Sequence, residues 1–511
     1  MVGSANSPLE VEHRLLQLMF IAPGGFAMIL TTEQAFLKSQ SQYQALQDSV
    51  TRALANGQRI DQVERDLLRQ LLELGHSLLM AFVAEHGDGD EGPTTTAPDG
   101  QVWQRLPQPH TRRYVSIFGE LIIDRFVYGR REGQKIESVP VDRRLGLPAG
   151  EFSYVYEDWA QRLCVRGSFA EASQSLECLL GLRPSVRTLE HMNRCLAEQA
   201  TSFEDDRGPP PAAEEGAVLV VTADGKGVPM RRPLQERVRG RRRGKGEKAN
   251  KKQMAYVGAV YSIERWVRTC EDVVGELRRQ EAAAGRPRPQ HKRVWTEMTP
   301  ADGPPGRGRD ALFEWLADGV DQRNPQADRP VVCLFDGERW LWEKCRACFP
   351  DAIAILDLFH VLEKLWLAAH CFHTEGSAAA AAFVTDRLRM LLEGRVGYMM
   401  GGLRQMSTKH QVDGAKARTL QSVLGYFENN RDHMRYDSYL AAGYPIGSGV
   451  AEGACRHVVK DRMEGSGMRW TLEGAQAMLD LRAIYLNDDW DAFVVYRIQK
   501  EQAELNGQIA A

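Results

Sequence analysis

AVLVVTADGKG, residues Ala217–Gly227, decides how the rest of this chain is read. A short continuous apolar run closed by turn-forming residues reads as a strand buried on both faces. This one reads as a strand ending in an acid, Asp224, followed by glycine. Working outward, FEDDRGPPPAAEEG (203–216) precedes it and reads as a linker, with three consecutive prolines among clustered acids. Downstream, MAYVGAVYSI (254–263), HKRVWTEM (291–298), RPVVCLFDG (329–337) and DAIAILDLFHV (351–361) read as further strands. ERWLWEKCRACF, between the last two, reads as a helix. Strands first in series and then alternating with a helix predict a mixed sheet with helices on its faces. From about Val361 to Leu440 the chain reads as helix throughout, and TLEGAQAMLDLRAIYL (471–486) forms a last amphipathic helix.

The half before the linker has a different character. Residues 10–86 read as helix, with Ile60, Val63, Leu67, Leu71, Leu74 and Leu78 making one apolar stripe at steps of three and four. That stripe suits packing within its own domain or a dimer seam. GDGDEGPTTTAPDG (87–100) reads as a loop, and HTRRYVSIFGELIIDRFVY (110–128) as a hairpin centred near Gly119. In 151–201 two helices are separated by Pro184, with Ser185 capping the second. Leu189, Met192 and Leu196 share one face of that second helix, and Arg187, His191 and Arg194 another. A helix pair with a basic outer face is what DNA reading by a helix-turn-helix requires, although such pairs also pack for purely structural reasons.

The chain has 511 residues, 43% hydrophobic and 26% charged, with a formal net charge of −3. Its length suits roughly three domains of ~100–200 residues. The near-neutral balance excludes a polycation, so any nucleic-acid role must rest on local basic clusters. Nine scattered cysteines suit a reduced, cytoplasmic compartment better than a disulfide framework. No apolar run reaches ~18 residues, so no membrane span is expected.

Two of the predicted strands end alike, VVTADGKG at Asp224 and VVCLFDGE at Asp336. Ligands gather at the carboxyl ends of strands in open sheets. Two carboxylates on neighbouring strands can hold Mg²⁺, a hard cation that takes oxygen ligands. In GSGVAEGACRHVVKDR, Gly447–Arg462, Glu452 stands between Gly449 and Gly453 near a helix start and offers a third carboxylate. The glycines leave room for a phosphate backbone. Three acids around two ions ~3.5–4 Å apart make a phosphoryl-transfer site. Taken singly, each acid has a plain explanation: Asp-Gly makes turns, and Glu452 can pair with Arg456.

Beside Asp224 lies RRPLQERVRGRRRGKGEKANKK (231–252), with seven arginines and four lysines against two glutamates. Such a run is often simply solvated; here it joins two core strands next to the acid and reads as a phosphate grip. Lys226, Arg231, Arg232, Arg241, Arg242, Arg243, Lys245, Lys251 and Lys252 are its candidate DNA contacts, with Arg187, Arg194, His360, Arg456 and Lys460 elsewhere. Asp357 in LDLFHV rivals Asp336 as the second acid, and His360 is placed either to contact a scissile phosphate or to pack. Gly447, Gly449 and Gly453 miss the dinucleotide-binding spacing, and the CxxC of Cys345 and Cys348 lacks finger spacing to His370 and His373. Trp340, Trp342 and Trp366 read as core.

These motifs together resemble bacterial insertion-sequence DDE transposases of the ISKra type, whose wider relatives are the ISL-type and Mutator-like enzymes. The resemblance rests on TADGKGVPM, KKQMAYVGAVY, FDGERWLW, ILDLFHVLEKLW and YPIGSGVAEGACRHVVKDRMEGSGMRW, and spans about residues 217–490. It implies an α/β, ribonuclease-H-like mixed-sheet core with an all-helical insertion, preceded by a mainly helical N-terminal region. It implies the triad Asp224, Asp336 and Glu452, which demotes Asp357. The N-terminal zinc ribbon of some relatives is missing.

The expectation is therefore a DNA transposase. It would bind the terminal inverted repeats of its element, use Mg²⁺ or Mn²⁺, and act as a homodimer or larger assembly, with no membrane partner. A structure-selective nuclease and a non-catalytic DNA-binding descendant are the alternatives. The expected divisions are 1–100 (helical, dimerising), 101–202 (hairpin and helix pair), 203–216 (linker), 217–361 (first part of the core), 362–443 (helical insertion), 444–490 (core helices with Glu452) and 491–511 (tail).

Overall fold

In a computed structural model, residues 32–96, 100–130, 136–231, 252–279, 285–301, 303–447 and 449–507 are described. The protein is mixed α/β, with a mainly helical N-terminal region and a mixed central sheet. The chain forms two compact units. The first comprises Met1–Trp159, Ser175–Arg183 and Ile498–Ala511; the second comprises Ala160–Gln174 and Pro184–Arg497.

In the first unit, α1 (Thr32–Ala55) and α2 (Ile60–Glu85) form a helical hairpin. The expected single stripe is divided by this pairing: Ile60, Leu71 and Leu78 stand exposed, while Val63, Leu67 and Leu74 are half-buried. The part of the stretch before Thr32 lies outside the described residues. By length and composition α2 is apolar enough to cross a membrane. Its charges crowd the N-terminal half, so the 18 residues from Leu67 to Ala84 carry only Arg69 and Glu73. β1 (His110–Ser116) and β2 (Gly119–Arg125) form the expected hairpin, with Gly119 at φ 121° in its turn. Phe118 at its tip packs on α2 where Gly75 has no side chain; a Cβ there would stand 2.6 Å from the Phe118 ring. The expected loop at 87–100 contains a short strand, Thr94–Thr96, in a small four-stranded sheet.

In the second unit, α3 (Val186–Ala197) starts at Ser185, whose hydroxyl accepts from the Thr188 N–H at 3.0 Å. The central sheet holds β3 (Val218–Pro229), β4 (Lys252–Ile263), β5 (Gln290–Met298), β6 (Val331–Phe335) and β7 (Ile353–Leu356), in the order β7-β6-β3-β4-β5. β4 runs antiparallel to both its neighbours, while β3, β6 and β7 are parallel. α4 (Arg307–Arg323) covers the sheet with Leu312, Phe313 and Leu316 fully buried, and α5 (Arg339–Cys348) links β6 to β7. The last strand is shorter than the predicted 351–361, because Asp357 caps a helix instead of extending the strand.

That helix, α6 (Leu358–Phe372), opens an entirely helical stretch: α7 (Ala378–Leu392), α8 (Val396–Lys409), α9 (Gly414–Asn429) and the short Tyr436–Ala441. α10 (Gly449–Ala454) runs into a π-helical segment, Cys455–Lys460, and α11 (Leu472–Leu486) packs against α3 and β5. The stretch expected as a linker, 203–216, lies inside this unit. Its penultimate residue is Glu215, whose carboxylate is buried against Arg323 in a two-pronged pair at 2.6 and 2.7 Å. Residues 491–511, expected as a tail, fall largely in the helix Trp490–Leu505.

Candidate functional site

Asp224 is not at a strand end. β3 continues through it to Pro229, paired residue by residue with β4 as far as Lys252. The Asp-Gly pair does not turn because the long antiparallel partner supplies hydrogen bonds on both sides of it. The glycines that suggested a turn serve close packing: a Cβ on Gly225 would meet Met254 Cε at 2.8 Å, and one on Gly227 would meet Lys252 Cδ at 3.0 Å.

Asp336 does stand just past a strand end. Its Oδ1 accepts from the Glu338 N–H at 2.8 Å, and Gly337 follows at φ 95°. Register brings the acids together. β6 pairs with β3 as Val331↔Leu219 to Cys333↔Val221, and with β7 up to Phe335↔Leu356. Carried forward, these registers set Asp336 between Asp224 on one neighbour and Asp357 on the other, at strand spacings of ~4.8 Å. The electrostatics agree. Burial foremost lifts the Asp336 carboxyl to about 6, and the Asp224 and Glu338 carboxylates add to the rise against opposition from the Glu338 N–H and His360. A half-buried carboxyl raised by burial and by a neighbouring carboxylate is one a cation would stabilise in its ionised form.

Asp357 is occupied otherwise. It is 3% exposed and accepts from the Phe359 N–H at 2.8 Å as the cap of α6. His360 is half-buried, with Nδ1 3.6 Å from Glu363.

Glu452 lies in α10, which packs against β3 and β4. Its side chain lies outside the described residues. Three positions on, Cys455 is buried with its thiol against Asp224; burial first, and then that negative neighbour, push the thiol far above its ordinary range. Residues three apart in a helix are neighbours, ~5–6 Å between Cβ atoms. The backbone of Glu452 is thus one turn from a side chain that touches Asp224. Gly449 has open space where a Cβ would be, so packing does not require glycine there, whereas a Cβ on Gly447 would meet Phe359 at 3.0 Å.

Two buried arginines hold this segment. A π-helix has a wide turn that disturbs the regular backbone pairing, and such turns cluster at functional sites. Arg482 of α11 donates to the carbonyls of Val458, at 2.8 Å, His457 and Val165. Arg462 donates to the Cys164 carbonyl at 2.7 Å, and its guanidinium lies 5.0 Å from the Phe169 ring centre and 4.9 Å from that of Trp470. On the other side, α9 braces the Asp336 turn: the Tyr426 hydroxyl donates to the Asp336 carbonyl at 2.6 Å. Just beyond α9, Asn430 accepts from Trp342 Nε1 at 2.7 Å and donates to the Tyr426 carbonyl at 2.9 Å. Cys455, Tyr426, Arg462 and Arg482 were not singled out from sequence. A signal existed for Arg482, since the two charges in the largely apolar run LDLRAIYL, Asp480 and Arg482, must find buried partners.

The basic candidates divide. Arg232, Arg241, Arg242, Arg243, Lys245 and Lys251 lie outside the described residues. Lys226 follows Asp224 by two and shares its face of β3. The Arg231 N–H donates to the Trp470 carbonyl at 2.8 Å, and Lys252 pairs with Glu464 at 2.5 Å. Arg456 and Lys460 are exposed on the π-helical segment, with Arg456 3.7 Å from Asp461. Arg187 is exposed on α3, and Arg194 reaches Glu473 at 3.3 Å.

Trp342 is core and stacks on His433, but Trp366 is 38% exposed, in contrast to expectation. Cys345 is buried beside Cys333, while His370 and His373 pack on Trp366 and Phe383. Among the described residues, no three His, Cys, Asp or Glu side chains are gathered to hold a metal ion. Within that limit the fit to a divalent cation rests on the Asp224–Asp336 pair. No protein-family model matches this chain, and no curated protein matches it.

Proposed function

We propose that this protein is a DNA transposase with a ribonuclease-H-like core and an Asp224, Asp336, Glu452 triad. The observation that carries the reading is the placement of Asp336, just past the end of β6, where the parallel register with β3 carried forward sets it beside Asp224, whose charge acts on it, with the helix bearing Glu452 packed on β3 as well. The sheet order, with one antiparallel strand between β3 and β5, supports the core assignment, and the helical stretch between β7 and α10 supports the insertion.

Asp224, Asp336 and Glu452 would hold Mg²⁺ or Mn²⁺. When bound, such ions supply a deprotonated water or hydroxyl at neutral pH and stabilise the leaving oxygen of an in-line displacement. A cation held there would offset the burial that raises the Asp336 carboxyl and keep it ionised. The Cys455 thiol, against Asp224, orients one carboxylate. Lys226, the 231–252 run, Arg456 and Lys460 grip DNA phosphates and make binding salt-dependent. Hydrolysis at the element ends and attack of the freed 3′-hydroxyl on target DNA are both in-line displacements, so one site serves both. The protein works in the bacterial cytoplasm, at the nucleoid.

The test is cleavage and joining of DNA carrying the element's terminal repeats, with Mg²⁺ or Mn²⁺. Wild type cuts and joins; Asp224→Asn, Asp336→Asn and Glu452→Gln bind the ends but do neither. Cutting without joining by wild type would favour a structure-selective nuclease. Full cleavage by any of the three variants rejects the triad.

A further inference from the structure

The hairpin of α1 and α2 leaves one face without a partner among the described residues. Ala35, Ser39 and Ala53 on α1, and Ser77 and Ala81 on α2, are buried, and Gln70 Nε2 donates to Ser49 Oγ at 3.2 Å. These mark the sides the helices turn to each other. One residue onward is a rotation of ~100°. At that offset Phe36, Tyr43, Val50 and Leu54 line α1 at steps of seven, seven and four, and Leu71, Leu78 and Phe82 line α2 at seven and four, with Ile60 at its start. Joined by the short turn at 56–59, the helices run antiparallel, so the same onward rotation brings both stripes to one side of the hairpin.

Each of these eight side chains belongs to a residue between 40% and 85% exposed. Among the described residues, ten of the 24 exposed large hydrophobics lie on this hairpin, so the exposure is concentrated rather than scattered. The eight leave on the order of 1,000 Å² uncovered, above the ~300–600 Å² of an ordinary monomer's largest patch and near the ~800 Å² that each partner gives a stable interface. Lys38, Asp48, Arg52, Arg65, Asp66, Arg69 and Glu73 fall on other sides of their helices, while Gln40, Gln47 and Glu64 interrupt the stripe.

We propose that this face binds the same face of a second copy, so that two hairpins close into a four-helix bundle about a two-fold axis. The seven-four spacing is that of helices packing knobs into holes, and the interleaved Gln40, Gln47 and Glu64 set the register. A two-fold contact asks only that one patch match itself, and an apolar face with its charges turned away does so. A lipid surface is the weaker occupant. The hairpin carries seven acids against five bases, whereas helices lying on membranes are rich in Lys and Arg. The proposal stands without the metal-site reading.

The experiment is sedimentation of the full-length protein at about 10 µM, the range of many specific associations. Wild type is a dimer. Leu71→Glu with Leu78→Glu is a monomer of unchanged helical circular dichroism, its association weakened at least ~100-fold; Glu73→Gln stays dimeric. In a Cys178→Ser background, Leu78→Cys forms a covalent dimer on mild oxidation and Glu73→Cys does not, which covers a double variant that fails to fold. A monomeric wild type, a dimer that survives the double substitution, or equal cross-linking at both positions would overturn the proposal. So would wild type that is monomeric in buffer but floats with phosphatidylcholine–phosphatidylglycerol vesicles through these leucines. DNA cleavage is measured separately, so failure here leaves the triad reading untouched.

Discussion

The turn that carries Asp336 and the helix that carries Glu452 position their acids by opposite means. Asp336 follows a strand buried from Val332 to Phe335, its turn is tied by the Glu338 N–H and the Tyr426 hydroxyl, and strand register sets it beside Asp224. Glu452 sits on a six-residue helix between glycines, continued by a π-helix whose His457 and Val458 carbonyls are held by the Arg482 side chain. A sheet positions a carboxylate through backbone pairing that any buried strand provides. The short helix depends on a few particular side chains, so the two regions should fail differently when altered.

The largest effect is expected where both regions converge. Asp224→Asn and Asp336→Asn each reduce Mg²⁺-dependent cleavage by at least ~10³-fold, measured as single-turnover strand scission, with end binding within a few-fold of wild type. Next is Arg482→Ala, which takes the side-chain donor away from the buried Val458 and Val165 carbonyls and from that of His457. It should lower stability by about 3 kcal/mol in denaturant titration, and lower cleavage even in protein that stays folded. Retained stability would mean that the π-helical segment does not depend on its arginine.

The buried pair of Glu215 and Arg323 gives a pH-dependent contrast away from both regions. Burial pushes the Glu215 carboxyl up, but the Arg323 guanidinium and the Ser262 hydroxyl outweigh it, and the net direction is down. A carboxyl held below its unfolded value contributes stability above the ordinary range of ~4.3, and that contribution is lost as pH falls through the lower folded value. Glu215→Gln should therefore be less stable than wild type at pH 7, with the gap closing below about pH 4. A gap that stays constant with pH would deny the ion pair its role.

Tyr426→Phe removes the brace on the Asp336 carbonyl and should cost about 1 kcal/mol of stability and ~10-fold in cleavage. The smallest effect belongs to Cys455. Cys455→Ser keeps a donor beside Asp224 and should cut as wild type within a few-fold, whereas Cys455→Ala should lose ~10-fold. Equal behaviour of the two would leave the thiol a packing role only.

The pattern of what was legible follows the same divide. All five sheet strands could be read because β-rich apolar runs such as VVCLF leave little else to form, and Asp224 and Asp336, which the sheet sets near each other, could be named from their neighbours in sequence. Strand limits could not. Asp224-Gly225 carries a local turn signal, but β4 overrides it by pairing through Pro229. The apolar stripe of α2 was visible, yet which half of it faces α1 depends on a packing angle that no spacing of leucines specifies. Arg462, Arg482 and Tyr426 act on backbone carbonyls more than fifty residues away or across the unit, and local pattern carries no trace of such a partner.

The deciding measurement is anomalous diffraction from crystals of the protein bound to its element's end DNA and soaked in Mn²⁺. One or two peaks should lie within ~2.0–2.3 Å of carboxylate oxygens of Asp224 and Asp336, with Glu452 completing the set and the scissile phosphate beside them. Manganese bound without Glu452, whose carboxylate then stands more than about 10 Å from the nearest ion, would contradict a shared three-acid site.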